Sequence, residues 1–193
     1  ATLGSGSLSE AVILPKGEKK EEWLAVNTTD FFNEISTLYG NIQPFCTKDS
    51  CPVMSAGVSF QYRWADGVKV KKPISVSAPE YVEYLMAWVE SQLNDEDIFP
   101  INYGIGVLVM RPGSEYPKDF DKKVQTIFKR YFRVYAHIYH SHLKDVESIH
   151  ATPHLNTCFK HFIYFVQYWK LVEPKEVRCA FTIVGCSWRL WRW

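Results

Sequence analysis

Cys46 and Cys51 flank four residues in the segment Phe45-Cys46-Thr47-Lys48-Asp49-Ser50-Cys51-Pro52, and two such thiolates can grip one face of a tetrahedral zinc ion. The other half of a site could come from the one dense histidine group, His137, His140 and His142. On a helix, His137 and His140 lie roughly 60° apart and His137 and His142 roughly 140° apart, which favours the first pair without deciding between them. A full Cys2His2 shell would hold one structural zinc ion per chain, because four protein ligands leave no open position for a reactive water. Two unrelated thiols with surface histidines fit the same residues.

A second kind of chemistry lies in charge. Lys122, Lys129 and Arg133 recur at intervals of seven and four, with Lys123 and Arg130 in a parallel row, so several cations share one side of a helix that could hold a phosphate. A solvated helix face, or a nucleic-acid contact, would use the same residues. Glu18, Glu21, Glu22, Asp30 and Glu34 recur beside Trp23, forming an acidic strip with an aromatic anchor that could dock a basic helix. Lys16, Lys19 and Lys20 interrupt it, as on an ordinary solvated face. There is no Gly-x-Ser-x-Gly and no Walker loop, and Gly104-Ile105-Gly106 lacks the third glycine of a dinucleotide fingerprint. His154 and His161 stand as lone histidines, more often packed than catalytic. A zinc-dependent hydrolase using His140 or His142 as base, and a nucleic-acid-binding zinc protein, are the alternatives to a binding module.

The elements that must position these groups are mostly helical. The chain of 193 residues is 47% hydrophobic and 22% charged with a net charge of +1, which suits one folded domain and supplies no whole-molecule field for nucleic acid or anionic lipid. Residues 20–39 read as two short helices or one bent one, with Asn27-Thr28-Thr29 at the break. That triplet formally fits a glycosylation acceptor, but helix-start chemistry explains it better. Ser77, Pro79 and Glu80 make a capping box that opens a helix with Tyr81, Tyr84, Leu85, Trp88 and Val89 on one face. Helical periods return over 119–141 and 155–171. Residues 59–70 alternate through Phe60, Tyr62 and Trp64 before the turn Ala65-Asp66-Gly67, as in a small hairpin, and 102–116 reads as a long loop. Five cysteines, Cys46, Cys51, Cys158, Cys179 and Cys186, are too sparse and odd for a disulfide framework. No apolar run is long enough to span a membrane, and the first residues lack a secretory signal. The expected location is intracellular.

Taken together, Ala1-Thr2-Leu3-Gly4-Ser5-Gly6, Glu22-Trp23-Leu24-Ala25-Val26-Asn27-Thr28, Asp30-Phe31-Phe32, Phe45-Cys46 through Cys51-Pro52-Val53-Met54-Ser55-Ala56-Gly57, Trp64-Ala65-Asp66-Gly67, Lys129-Arg130, Phe132-Arg133-Val134-Tyr135-Ala136-His137-Ile138-Tyr139-His140 and His154-Leu155-Asn156-Thr157 resemble the Mob family of kinase activators over residues 1 to about 172. The resemblance implies a mainly α fold with a four-helix-bundle core, a structural zinc and no catalytic activity. It implies a co-activator and scaffold for NDR/LATS-type kinases in Hippo or mitotic-exit signalling, in the cytoplasm and also the nucleus. By the same resemblance the zinc ligands fall on Cys46, Cys51, His137 and His142, leaving His140 a bystander. A phosphothreonine pocket for phosphorylated Ste20/MST-type kinases falls on Lys129, Arg130 and Arg133. The surface that docks the kinase's basic N-terminal regulatory segment falls on Glu18, Glu22, Trp23 and Asp30, with His161 beside them, and Thr2 matches a phosphorylated threonine. Nucleic acid and a membrane span are not expected. Two departures stand out: 101–116 is longer than the family's loop, and after about Glu173 the family's acidic, leucine-rich helix gives way to a Trp/Arg-rich segment. The chain therefore divides into a Mob-type domain, 1–173, and a divergent tail, 174–193, the latter better explained as an alternative exon or shifted frame than as an interfacial anchor.

Overall fold

The computed structural model describes residues 7–57, 60–104, 107–110 and 114–177, with only backbone for 101–104 and 107–110. Thr2, Cys179 and Cys186, and residues 178–193 of the expected tail, lie outside the described residues. The first element is a single helix, α1 (Lys20–Ile42), the one-helix alternative of the two that the sequence offers, and not two short helices. The reason is local: Asn27, Thr28 and Thr29 turn their side chains back onto the carbonyls of Trp23, Leu24 and Ala25 at 2.8, 2.6 and 3.3 Å instead of capping a new helix. All three are buried, so Asn27 is also no acceptor for a glycan.

Ser77 opens α2 (Ala78–Leu93) with both arms of the capping box formed. Chain order then gives β1 (Ile101–Gly104), β2 (Val107–Met110), α3 (Phe120–Ser141), α4 (Leu143–Ser148) and α5 (Thr152–Tyr168). Helix α1 packs against α2, α3 and α5, and α3 also against α2 and α4. The chain is mainly helical with few strands. Aromatic side chains fill the centre, Phe31 of α1 meeting Phe128 of α3 and Phe162 and Phe165 of α5 at centroid separations of 5.3 to 5.5 Å. Buried hydroxyls are tied across the same contact: Tyr131 donates to the Thr28 carbonyl at 3.2 Å and Tyr135 to Glu34 at 2.6 Å. Among the described residues no helix is long and apolar enough to cross a membrane.

The strand expectation is corrected. Residues 60–74 form no ladder, only isolated antiparallel bridges, Ser55 with Gln61 and Trp64 with Ile74. The Asp66 carboxylate accepts from the backbone N–H groups of Val68 and Val70 at 2.8 and 2.7 Å, and Gly67 takes φ +81°. This bends the return chain into a wide loop, so Trp64 meets Ile74 and leaves Val68 in solvent. The true two-stranded sheet lies in the supposed long loop, where β1 and β2 pair antiparallel from Ile101 opposite Met110 to Gly104 opposite Val107. Helices α4 and α5 end alike, with left-handed His150 (φ 56°) and Lys170 (φ 54°) in Schellman closures, Ala151 N–H to Val146 O and Leu171 N–H to Val166 O. Beyond α5, residues 174–177 of the expected tail add a helical turn that buries Val177.

Because the Ser77 and Glu80 side chains satisfy each other's backbone donors, Ser77→Ala is expected to cost about 1 kcal/mol. A urea-unfolding midpoint lowered at unchanged slope would show it, and an unmoved midpoint would contradict it.

Candidate metal centre and binding surfaces

Cys46 follows the last turn of α1, its N–H bonded to the Ile42 carbonyl, while the Cys51 carbonyl accepts from Ala78 at the start of α2. His137 projects from α3, and His142 is the residue where α3 ends and α4 begins. The four meet: one donor atom from each lies within 4.8 Å of every other, all buried. His137 Nε2 stands 3.5 Å from Cys46 Sγ, and His142 Nε2 stands 3.3 Å from Cys51 Sγ. Each ring donates its Nδ1 proton away from the cluster, His137 to the Ser55 carbonyl and His142 to Asp145, both at 2.8 Å. That hydrogen bonding fixes the tautomer and leaves each Nε2 lone pair facing the sulfurs, the arrangement metal-bound histidines use.

Burial pulls His137 down to about 4 and so keeps it neutral at pH 7, while burial pushes the Cys46 thiol well up. Tyr39, raised by burial and then by the two cysteines, has a hydroxyl beside Cys46 with no hydrogen-bond partner of good geometry among the described residues. A divalent cation would hold the sulfurs as thiolates and give that hydroxyl an anionic neighbour. Two sulfurs and two imidazoles are the donor set of a closed, tetrahedral site, so the cluster could hold a metal ion. His140, the residue that spacing favoured, is exposed, its ring lying over Gly57.

The basic residues of α3 do not form one stripe. Lys123 pairs with Asp119 at 3.5 Å. Arg130 lies between two indoles, its guanidinium carbon 4.1 Å from the Trp88 ring centre and 4.7 Å from that of Trp64, and it donates to the Ala65 carbonyl at 2.6 Å. Its Nη1 is buried without a partner among the described residues, and desolvation lowers its pKa. Arg133 donates to Tyr81 Oη at 2.8 Å and faces the Tyr62 ring at 5.2 Å. Lys129 meets Glu173 and Glu176 at 3.5 and 3.7 Å. Lys129, Arg130 and Arg133 are therefore neighbours on α3, yet sequence periodicity missed the aromatic cage because Trp64 and Trp88 come from other elements.

On α1, Trp23 and Asp30 lie about 20° apart around the axis, and Glu22 is some 12 Å along it from Asp30. Glu18 sits in the turn before the helix. Glu22 pairs with Lys19 at 3.6 Å, whereas Asp30 has no ion pair among the described residues and its carboxyl is raised by desolvation. Trp23 packs on the core with its Nε1 unpartnered among the described residues. His161 of α5 lies against Phe31 at 5.0 Å, and its burial lowers its pKa. Glu34, one turn beyond Asp30, is raised by burial although Tyr135 donates to it.

Residues 1–180 match the Mob1/phocein family. The chain is 58% identical over 177 residues to MOB kinase activator-like 1A of Arabidopsis thaliana, covering 92% of this chain and 78% of that protein. Against MOB kinase activator-like 1 homolog A of Dictyostelium discoideum the identity is 59% over 177 residues, covering 92% and 79%. It is 56% identical over 177 residues, covering 92% and 78%, to MOB kinase activator-like 1A of Medicago sativa subsp. falcata.

Two outcomes follow from the metal cluster. Cys46→Ser is expected to lose metal and cooperative unfolding together, read by metal quantification and thermal circular dichroism; a well-folded, metal-free variant would refute a structural site. The unfolded chain takes up a proton at His137 near pH 6.5, whereas burial keeps the folded chain from doing so until about 4, and a metal on Nε2 would compete with that proton further. Stability is therefore complete above that window and falls as pH drops through it. A melting temperature constant from pH 6.5 to 4 would contradict the neutral, buried assignment.

Proposed function

The chain belongs to the Mob1/phocein family, and from that premise we propose that it is a non-catalytic co-activator and scaffold for Ser/Thr kinases of the NDR/LATS type. The observation that carries this reading is the identity of more than half the residues, over 92% of the chain, to proteins named MOB kinase activator-like. The finer assignments rest on geometry and resemblance. Glu18, Glu22, Trp23 and Asp30, with His161, form the dock for the basic N-terminal regulatory segment of the kinase. Asp30 suits this because its exposed carboxylate lacks an ion pair among the described residues, which a partner's arginine or lysine would supply.

Lys129, Arg130 and Arg133 form the pocket for the phosphothreonine of an upstream Ste20/MST-type kinase. Neither arginine has a carboxylate partner among the described residues, leaving positive charge for a phosphate. Cys46, Cys51, His137 and His142 hold one zinc ion, which supplies a structural cross-link. The core is the family's four-helix bundle, formed by α1, α2, α3 and α5. Phosphorylation of Thr2 regulates docking, and the protein works in the cytoplasm and nucleus in Hippo or mitotic-exit signalling. The mechanism is positional: docking orders the kinase's regulatory segment, favours its active form and holds the activating kinase at raised effective concentration.

Because Arg130 is packed between two tryptophans, its removal would disturb the fold; the phosphate test uses Lys129→Ala with Arg133→Gln. Binding of a phosphothreonine peptide is expected to weaken about tenfold or more at unchanged melting temperature, and retained affinity in fluorescence anisotropy would sink the pocket. Asp30→Asn removes an exposed charge, so it is expected to leave the melting temperature unchanged while losing affinity for the basic kinase segment. Undiminished affinity in titration calorimetry would remove Asp30 from the dock.

A further inference from the structure

The left-handed Lys170 reverses the chain after α5, and the following turn lays Glu173 and Glu176 against α3. Both carboxylates reach the same ammonium, Lys129 Nζ, at 3.5 and 3.7 Å. The two adjacent cations are engaged differently. Arg130 is held by two indole faces and the Ala65 carbonyl, Arg133 by the Tyr81 hydroxyl and the Tyr62 ring, all neutral groups. Of the three cations read as a phosphate pocket, Lys129 alone is paired with carboxylates among the described residues. One lysine facing two carboxylates has a surplus of negative charge beside it, and an incoming phosphate must both displace those oxygens and approach their charge.

We infer that Glu173 and Glu176 are built-in competitors for the anion pocket, lowering its affinity for the phosphorylated partner that must displace them from Lys129. The inference rests on the reading of Lys129, Arg130 and Arg133 as a phosphate site. Exposure of the carboxylates, 69% and 42%, keeps the contact weak enough to be displaced. Neutralising both therefore raises affinity modestly: Glu173→Gln with Glu176→Gln binds about threefold or more tighter. The gain shrinks at high salt.

The test is fluorescence anisotropy of a phosphothreonine peptide and its unphosphorylated twin against the full chain, using wild type, the double Gln variant, Lys129→Met and the triple combination. Tighter phosphopeptide binding by the double Gln variant, with most of that gain lost when Lys129 is Met, is the expected result. Unchanged or weaker binding by the double Gln variant overturns the inference, as does an equal gain in the Lys129→Met background, which would mark a general field effect. If wild type and double Gln variant alike fail to distinguish the phosphorylated peptide from its twin, the pocket reading itself falls and takes the inference with it. Phosphate-dependent wild-type binding that the Gln substitutions leave unmoved refutes the competition alone.

Discussion

Four buried donors, Cys46, Cys51, His137 and His142, draw four parts of the chain to one point. Cys46 hangs from the last turn of α1, Cys51 shares a backbone hydrogen bond with the first residue of α2, His137 belongs to α3, and His142 ends α3 and begins α4. Burial alone works against this convergence, since it favours a neutral Cys46 thiol, and an imidazole nitrogen stands 3.5 Å from Cys46 Sγ and 3.3 Å from Cys51 Sγ. A cation reverses the sign of that cost. The Nδ1 hydrogen bonds to Ser55 and Asp145 prearrange both rings for it, so most of the orientational work is done by the polypeptide.

The surfaces read as docking sites depend on the helices that this point and the aromatic centre hold together. Helix α1 carries Glu22 and Asp30 and meets α3 through Phe31 and Phe128, with Thr28 and Glu34 receiving hydroxyls from Tyr131 and Tyr135. Helix α3 contributes two metal donors near its end and the basic residues half-way along. One helix thus carries residues of the candidate cross-link and the cations of the proposed anion pocket. The aromatic cage around Arg130 adds a second long-range tie, joining α3 to α2 and to the 60–74 loop.

Much of this was legible before the fold was known, and the failures have physical causes. The capping box at Ser77 and the periods of α2, α3 and α5 are local signals, and a helix forms at each. The histidine pair was not decided by spacing because the helical wheel assumes that α3 continues, whereas His142 is its C-cap at φ −128°, ψ 14°; the family resemblance pointed to His142. Helix α4 has six residues and one buried side chain, too little for a period to register. The two-helix alternative at Asn27 to Thr29 rests on capping, whereas these side chains bond backwards along one helix. Strand alternation at 60–64 was real, yet the Asp66 turn sent the partner strand elsewhere. The pairing of Lys129 with Glu173 and Glu176 joins residues more than forty positions apart, beyond any local pattern.

The central claim is that a metal-ordered, non-catalytic fold activates a kinase by position. It is tested most directly by reconstitution: the phosphorylation rate of an NDR/LATS-type kinase on a peptide substrate, measured with the metal-loaded chain, with the chelated chain, and with Asp30→Val. The account predicts stimulation by the loaded chain alone. A folded, metal-loaded chain that leaves the kinase rate unchanged, or chelated and Asp30→Val proteins that stimulate it as well as the loaded chain does, would contradict it.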